Sequence, residues 1–337
     1  MEISVRERIE EQEQNCLSPY AQLASESAGR AVPEKPDPIR TCFMRDRDRI
    51  LHSKSFRRLK HKTQVFIAPA GDHFRTRLTH TLEVAQIART IGRALRLNED
   101  LIEAIALGHD VGHTPFGHAG EAALDEALRT IAAGAAPHGF RHYEQSLRVL
   151  DVLEDLNLTL ETRLGIGGHS KGKKDLTDAD GEPTSTLEAA VVRISDRIAY
   201  INHDLDDAVR AGVVTDIPES FLEIGRSQGV RIGAMVEDVV GRSLDQPRIS
   251  ASPSMLRTMN DMKDWLFENV YERAPDRAKD IEQAKRVVKG LFQHFLEPGN
   301  LPEGFDGAQG AVDYVAGMTD RFALDAFDSL IGSTGTP

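Results

Sequence analysis

An all-α fold is what this sequence predicts, and three observations carry the prediction. Apolar residues recur at three- and four-residue intervals, most cleanly at Val84, Ile87, Ile91 and Leu95. No run of convincing length alternates with period two, and no internal repeat or low-complexity tract interrupts the pattern. From Glu219 to Leu330 the chain reads as helix after helix, broken at Pro247, Pro253, Pro275 and Pro298.

At 337 residues, with 40% apolar and 28% charged side chains, the chain can bury a sizeable core. The pattern suggests an arm over 1–40, a core over 41–215, and a helical extension over 216–337 packed on that core. A net charge of −12 argues against a generic nucleic-acid binder, whose surface is basic, but leaves room for an anionic small substrate in a local basic pocket. Two cysteines, Cys16 and Cys42, form no pairing pattern and suit a reducing compartment. Met1–Glu13 is dense in charge and lacks the apolar stretch of a secretory signal. No apolar run approaches the roughly 18 residues of a membrane span. The expected location is the cytoplasm.

Taken in order, the first element is a charged helix from Val5 to Gln14, followed by a Pro-rich surface passage through Pro33, Pro36 and Pro38. Arg45–Lys62 reads as one mixed-charge helix anchored by Ile50, Leu51, Phe56 and Leu59. Its cations are either a solvated face or, at Arg57, Arg58 and Lys60, a phosphate contact. Arg75–Leu97 is a strong helix, and one turn back from Val84 its buried stripe reaches His80. Asn98 caps the next helix, with Glu99 and Asp100 in its first turn. The face formed by Ile102, Ile105 and Ala106 leads to His109.

Pro115 then forces a turn, and helices follow over Ala119–Thr130 and Phe140–Leu158. Leu164–Pro183 reads as a long loop, its Lys171, Lys173 and Lys174 solvated or, alternatively, touching phosphate. Ser185-Thr186-Leu187-Glu188 reads as a capping box for a long helix with core positions Leu187, Val191, Ile194, Ile198 and Ile201. Asp196 sits among apolar neighbours on that helix and needs a compensating charge. Asp204, Asp206 and Asp207 read as a solvated acidic turn. Trp265–Phe267, Leu291, Phe292 and Phe295 read as core.

The chemistry concentrates between Ala104 and Glu121, where His109, His113 and His118 fall within ten residues and Asp110 follows His109 directly. His80, His109, Asp110 and Asp196 come from three predicted helices. Two neutral imidazoles and two carboxylates carry a formal −2, which suits one divalent cation: Mn²⁺, Mg²⁺, Fe²⁺ or Zn²⁺. The order H…HD…D resembles the HD phosphohydrolases, a helical-bundle fold to which the C-terminal helices would be an addition.

A closer resemblance runs from about residue 40 to 325. It is carried by RDRDRILHSKSFRRLKHKTQVF, GDHFRTRLTHTLEVAQIARTI, GHDVGHTPFGHAGE, FRHYEQSLR and ISDRIAYINHDLDDA, with AGMTDRFA near the end. These strings are similar to the bacterial deoxyguanosine triphosphate triphosphohydrolase family, in its shorter branch. The resemblance implies metal-dependent hydrolysis of deoxynucleoside triphosphates (dNTPs) to deoxynucleoside and inorganic triphosphate, in control of the dNTP pool. It also implies a homo-oligomer and regulation by a dNTP or single-stranded DNA effector.

Residue by residue, His80, His109, Asp110 and Asp196 match the family's metal ligands. His118 and Glu121 match its catalytic histidine and the acid that orients it, and His142 a second active-site histidine. Where the family string has asparagines beside that histidine, this chain has Arg141 and Tyr143. Arg77 matches a phosphate-binding arginine, Tyr200 a residue near sugar and phosphates, and Gln64 one near sugar and base. Arg58 and Asp204 carry over as further substrate contacts. His113 reads as a substrate contact or a support for its neighbours rather than a ligand. The resemblance leaves open whether His118 attacks phosphorus or moves a proton. The rival readings are a 5′-nucleotidase-like HD hydrolase and a nucleotide-sensing regulator without turnover. The density of cations disfavours the first, and retention of His118 and Glu121 disfavours the second.

Overall fold

The computed structural model describes residues 3–64, 75–130, 139–169, 176, 186–271 and 275–332. Over these it is all-α, as expected: fifteen α-helices, and in place of strands only the isolated bridges Arg30–Thr159 and Thr63–Thr76. In chain order the helices are α1 (Val5–Cys16), α2 (Cys42–His52), α3 (Lys54–Arg58), α4 (Arg77–Ala94) and α5 (Glu99–Gly108). Next come α6 (Gly117–Thr130), α7 (His142–Arg148), α8 (Leu160–Gly167), α9 (Leu187–Arg210) and α10 (Glu219–Glu223). The last five are α11 (Gln228–Ser243), α12 (Pro253–Leu266), α13 (Pro275–Leu296), α14 (Gly307–Ala316) and α15 (Asp320–Leu330).

Two hydrophobic cores organise these helices. In the first, α4 packs on both α5 and α9, while α2 and α8 cover the other side of α5. Ile87, Ile91, Ile102, Ile105, Ile198 and Ile201 are all fully or almost fully buried there. Each contributes about 1.5–3 kcal/mol relative to exposure, which offsets the cost of the polar groups buried beside them. The second core joins α6 to α13, α14 and α15 around Leu124, Leu128, Leu291, Phe292, Phe295 and Phe327. Helix α6 begins eight residues after His109, so a C-terminal unit is seated against the element that follows the histidine-rich turn.

Helix ends follow local chemistry. The Thr76 hydroxyl accepts from the Thr79 amide to start α4, and the Asn98 side-chain oxygen Oδ1 accepts from the Leu101 amide to start α5. The segment expected as one helix over Arg45–Lys62 divides at Ser53, whose extended backbone ends α2 and whose hydroxyl accepts from Phe56 to start α3. Leu51, expected as an anchor, is exposed. The helix expected over Phe140–Leu158 is shorter. It runs through α7 into one π-type turn at Val149–Leu153 and stops where Asp155 and Asn157 take positive φ. Part of the expected loop after Leu164 is instead α8.

At the start of α9 the cap is Thr186, which accepts from Ala189. Ser185 lies outside the described residues. Glu188 does not close a capping box but turns inward and accepts from the amides of Gln22 and Asn98, tying the N-terminal arm to the core. The arm is fixed a second time by the buried Arg30–Asp46 ion pair. No helix among the described residues is long and apolar enough to cross a membrane.

Candidate metal and active centre

The site forms where three helix positions converge. His80 lies in the first turn of α4, His109 ends α5, and Asp196 lies in the middle of α9. His80 Nε2 is 3.2 Å from Asp196 Oδ1, and His109 Nε2 is 3.6 Å from Asp110 Oδ1 and 4.0 Å from Asp196 Oδ1. The four residues expected as a ligand set are therefore brought together.

Their donor chemistry fits a divalent cation. His109 Nδ1 lies 2.6 Å from the Ala106 carbonyl oxygen, so that nitrogen carries the proton and donates. This leaves the lone pair on Nε2, which is buried and has no hydrogen-bond partner. Burial works against ionised Asp110, yet His109, Arg77 and His113 outweigh it and hold the carboxyl well below its usual range. Asp196 is likewise lowered against burial, chiefly by the hydrogen bond with His80 and by His109. His80 is raised: its burial pulls the other way, but Asp196 prevails. Two carboxylates and two imidazole nitrogens converging at this point form a mixed nitrogen and oxygen donor set of the kind that holds a divalent cation.

Arg77 begins α4 at 2% exposure and donates from Nη1 to Asp110 Oδ2 at 2.6 Å. Its Nε and Nη2 are buried without partners. A guanidinium with two unused donors beside a metal-type cluster is prepared for an anionic oxygen.

The second half of the centre is built around Glu121. Its Oε1 accepts from the amide of His142 at 3.0 Å and lies 2.9 Å from His142 Nδ1; its Oε2 lies 3.4 Å from His118 Nδ1. One carboxylate thus orients two histidines, where the sequence suggested only His118. Despite burial, hydrogen bonds from His118 and His142 hold Glu121 far below the normal carboxyl range, and Glu121 in turn raises His142 against burial. The His118 side chain is 69% exposed, so its ring meets solvent. His113 is buried, stacks on His142 with ring centres 4.2 Å apart, and is kept neutral by burial and by Arg77.

Tyr200 and Asp204 lie one and two turns beyond Asp196 on α9. Burial raises the Tyr200 phenol, and the Arg197 guanidinium lies 5.5 Å from its ring centre. Asp204 and Asp207 are buried, not solvated as expected: Tyr271 donates to Asp204 Oδ2, and Arg75 donates to Asp207 at 2.6 Å. Burial raises Asp204 to about 6 and its Oδ1 has no partner. Gln64 is buried with an unpartnered Oε1. Arg58 is not in this cluster. It is exposed and lines a depression with Lys54, Lys62, Gly112, Gln145 and Asp313, none of them a cluster histidine. Lys171, Lys173 and Lys174 lie outside the described residues.

Two buried histidines escaped sequence reasoning. His169 follows α8, its ring 5.0 Å from that of His109; burial, then His109 and His142, lower it to about 3. His203 Nδ1 is 3.2 Å from Glu83 Oε2, and its ring is 5.9 Å from that of His80. His169 stands among turn formers and shows no helical spacing, whereas His203 lies seven residues beyond Asp196 on the same helix, a spacing that could have flagged it.

The fold and the H…HD…D cluster define a phosphohydrolase of the HD class: the HD domain family matches residues 77–201, and the phosphohydrolase-associated domain matches 249–329. Full-length relatives narrow this. A protein of Caldanaerobacter subterraneus subsp. tengcongensis is 52% identical over 96% of this chain and 94% of its own length. One of Desulfatibacillum aliphaticivorans is 46% identical over 98% and 99%, and one of Clostridium tetani 42% identical over 97% and 96%. All three are named deoxyguanosinetriphosphate triphosphohydrolase-like proteins, and the chain belongs to that family. A solved structure of a hypothetical protein from Aquifex aeolicus shares the fold, with TM-score 0.50 at 18% identity over 86% of this chain and 71% of that one.

Proposed function

We propose that this chain hydrolyses deoxynucleoside triphosphates to deoxynucleoside and inorganic triphosphate. The observation that carries the reading is the juxtaposition of a two-histidine, two-carboxylate set with Arg77 and with the Glu121-linked histidines, His142 buried and His118 open to solvent. The family to which the chain belongs supports it.

His80, His109, Asp110 and Asp196 would hold one divalent cation, Mn²⁺, Mg²⁺, Fe²⁺ or Zn²⁺. When bound, such an ion polarises a water molecule and a phosphoryl oxygen. Arg77, fixed through Asp110, offers Nε and Nη2 to the α-phosphate oxygens and offsets the charge that develops there. His118 turns Nδ1 toward Glu121, which leaves the Nε2 lone pair to take a proton from the attacking water and then pass it to the departing 5′ oxygen. His142, on the same carboxylate, and His113, stacked upon it, border the reacting phosphate. Gln64, Tyr200 and Asp204 form the sugar-and-base side, and His118 lies close enough to Asp204 to oppose, in part, the rise that burial causes there. Arg58 would reach a distal phosphate only from the neighbouring depression.

A homo-oligomer, and activation by a dNTP or single-stranded DNA, belong to the same reading. The test is a four-dNTP hydrolysis panel with Mn²⁺ or Mg²⁺, each remaining dNTP being added in turn as an activator. Intact triphosphate is the expected phosphorus product. Monophosphate with pyrophosphate, or turnover of nucleoside monophosphates alone, would refute the assignment.

A further inference from the structure

Asp320 is the first residue of α15, yet its side chain does not serve its own helix. The cap there is Thr319, whose hydroxyl accepts from the Phe322 amide at 3.3 Å. Both Asp320 oxygens reach instead to segments 204 and 257 residues earlier in the chain. Oδ1 accepts from the Phe116 amide at 2.9 Å. Oδ2 accepts from the Thr63 amide at 2.9 Å and also from the Thr63 hydroxyl. One carboxylate thus holds three donors, in hydrogen bonds of the strong, charge-assisted kind.

Each of the two segments leads into a residue of the proposed reaction. Thr63 precedes Gln64 and bridges to Thr76, and the carbonyl of Lys62 accepts from the Arg77 amide at 3.1 Å. Phe116 and Gly117 are both left-handed, with φ 61° and 57°, and His118 follows them directly. A bulky aromatic residue adopts that conformation only where its surroundings hold it. Here the Phe116 ring is buried in the second core while its amide is bound by Asp320. The two segments also meet. A Cβ on Gly117 would lie 3.0 Å from the Gln64 carbonyl oxygen, 3.3 Å from Arg77 Nη2 and 3.5 Å from the Thr63 carbonyl oxygen. Asp320 therefore binds both sides of the contact that sets Gln64 and Arg77 relative to His118.

We propose that Asp320 is a positioning residue for phosphoester cleavage, a carboxylate of the C-terminal unit that sets the catalytic His118 against the substrate-binding Gln64 and Arg77. It touches no reacting atom. The inference rests on the reading of those three residues given above. Lys62 reinforces the arrangement, since its buried ammonium donates to the carbonyl oxygens of His113 and Ala316 and so ties the same segment to the histidine turn and to α14. The competing account is a purely structural tie, in which Asp320 seats the C-terminal unit and does nothing for the reaction.

The test is steady-state kinetics of the full chain with Mn²⁺, on the dNTP that wild type turns over fastest. Asp320→Asn keeps the shape but presents one acceptor oxygen in place of two, so Phe116 or Thr63 loses its partner. Its kcat/KM should fall by about 10²-fold, with KM raised as well as kcat lowered, the scale of a reacting group displaced by about 1 Å. A purely structural tie would lower the folded fraction, which lowers apparent kcat and leaves KM unchanged. Phe327→Ala supplies that pattern for comparison. Phe327 lies seven residues further along α15 and packs over Gly290, so its truncation should lower the unfolding midpoint without moving KM. A wild-type KM in Asp320→Asn would overturn the inference and leave the reading of the centre standing. A wild-type chain that turns over no dNTP would overturn both. Should Asp320→Asn lose its helical circular dichroism, Thr63→Val decides by the same criterion. That change keeps the amide contact, removes the hydroxyl one, and should raise KM severalfold.

Discussion

In the proposed reading Arg77 is where substrate binding and the metal ligands meet, because one side chain serves Asp110 and has two donors to spare. Arg77→Ala would leave Asp110 without its partner and a phosphate oxygen without its donors. A loss of 10²–10³-fold in kcat/KM is expected, of the order seen when one preorganised donor to a developing charge is removed. Arg77→Lys should recover little of it, since a single ammonium cannot span both the carboxylate and the substrate oxygen. Steady-state kinetics on both variants check this, and near-normal activity in the alanine variant would remove Arg77 from the site. Glu121 makes a parallel case. Glu121→Gln should misorient His118 and His142 together, so Glu121→Gln combined with His118→Ala should cost less than the sum of the two single changes, the excess over His118→Ala alone reporting the loss through His142. The single His118→Ala change should lower kcat by about 10²–10⁴-fold while nucleotide binding persists.

Helices carry these side chains, and the turn after α5 shows how closely they must approach. A Cβ on Gly112 would lie 2.1 Å from the Ser146 amide nitrogen and 2.6 Å from the His142 carbonyl oxygen, both backbone atoms of α7. The Ser146 hydroxyl bridges the same contact, donating to His109 O at 2.8 Å and accepting from Gly112 N at 2.9 Å. Gly112→Ala should therefore destabilise by about 1–3 kcal/mol and depress activity by moving His142 relative to Asp110. Thermal unfolding and kinetics on the variant test it; a fully active, equally stable Gly112→Ala protein would contradict the packing.

The same turn shows what was legible in the sequence. Helical spacing led from Val84 back to His80 and from Ile105 on to His109, because a buried stripe forces its next member inward. The inward aspect of Asp196 was legible from its apolar neighbours. His169 was not, since the contact that gives it meaning crosses from the end of α8 to the start of α7 and leaves no periodic trace. Arg58 shows the opposite case: its motif pointed to phosphate, and the break at Ser53 sets it on a helix that faces a different depression.

Across the whole molecule, half-buried Asp320 and buried Lys62 are among the polar groups that join the C-terminal unit to the centre. Asp320 accepts from the Phe116 amide at 2.9 Å and from the Thr63 amide at 2.9 Å, and so supports Phe116 in its left-handed conformation, φ 61°. Lys62 donates to the carbonyl oxygens of His113 and Ala316. Burial, opposed in part by Asp320, lowers Lys62 to about 7 from its ordinary 10.5. Between those values the unfolded chain binds the extra proton. The Lys62 contribution to stability is therefore complete above 10.5 and declines as pH falls toward 7. Urea unfolding at pH 7, 8 and 9 should show a rise in stability with pH that Lys62→Met flattens. Equal slopes in the two proteins would contradict it.

The central claim is that the assembled centre directs water to the α-phosphorus of a dNTP, and hydrolysis in ¹⁸O-labelled water tests it most directly. Release of intact triphosphate carrying one ¹⁸O, with unlabelled deoxynucleoside, is the predicted result. Label in the deoxynucleoside, or monophosphate and pyrophosphate in place of triphosphate, would contradict it.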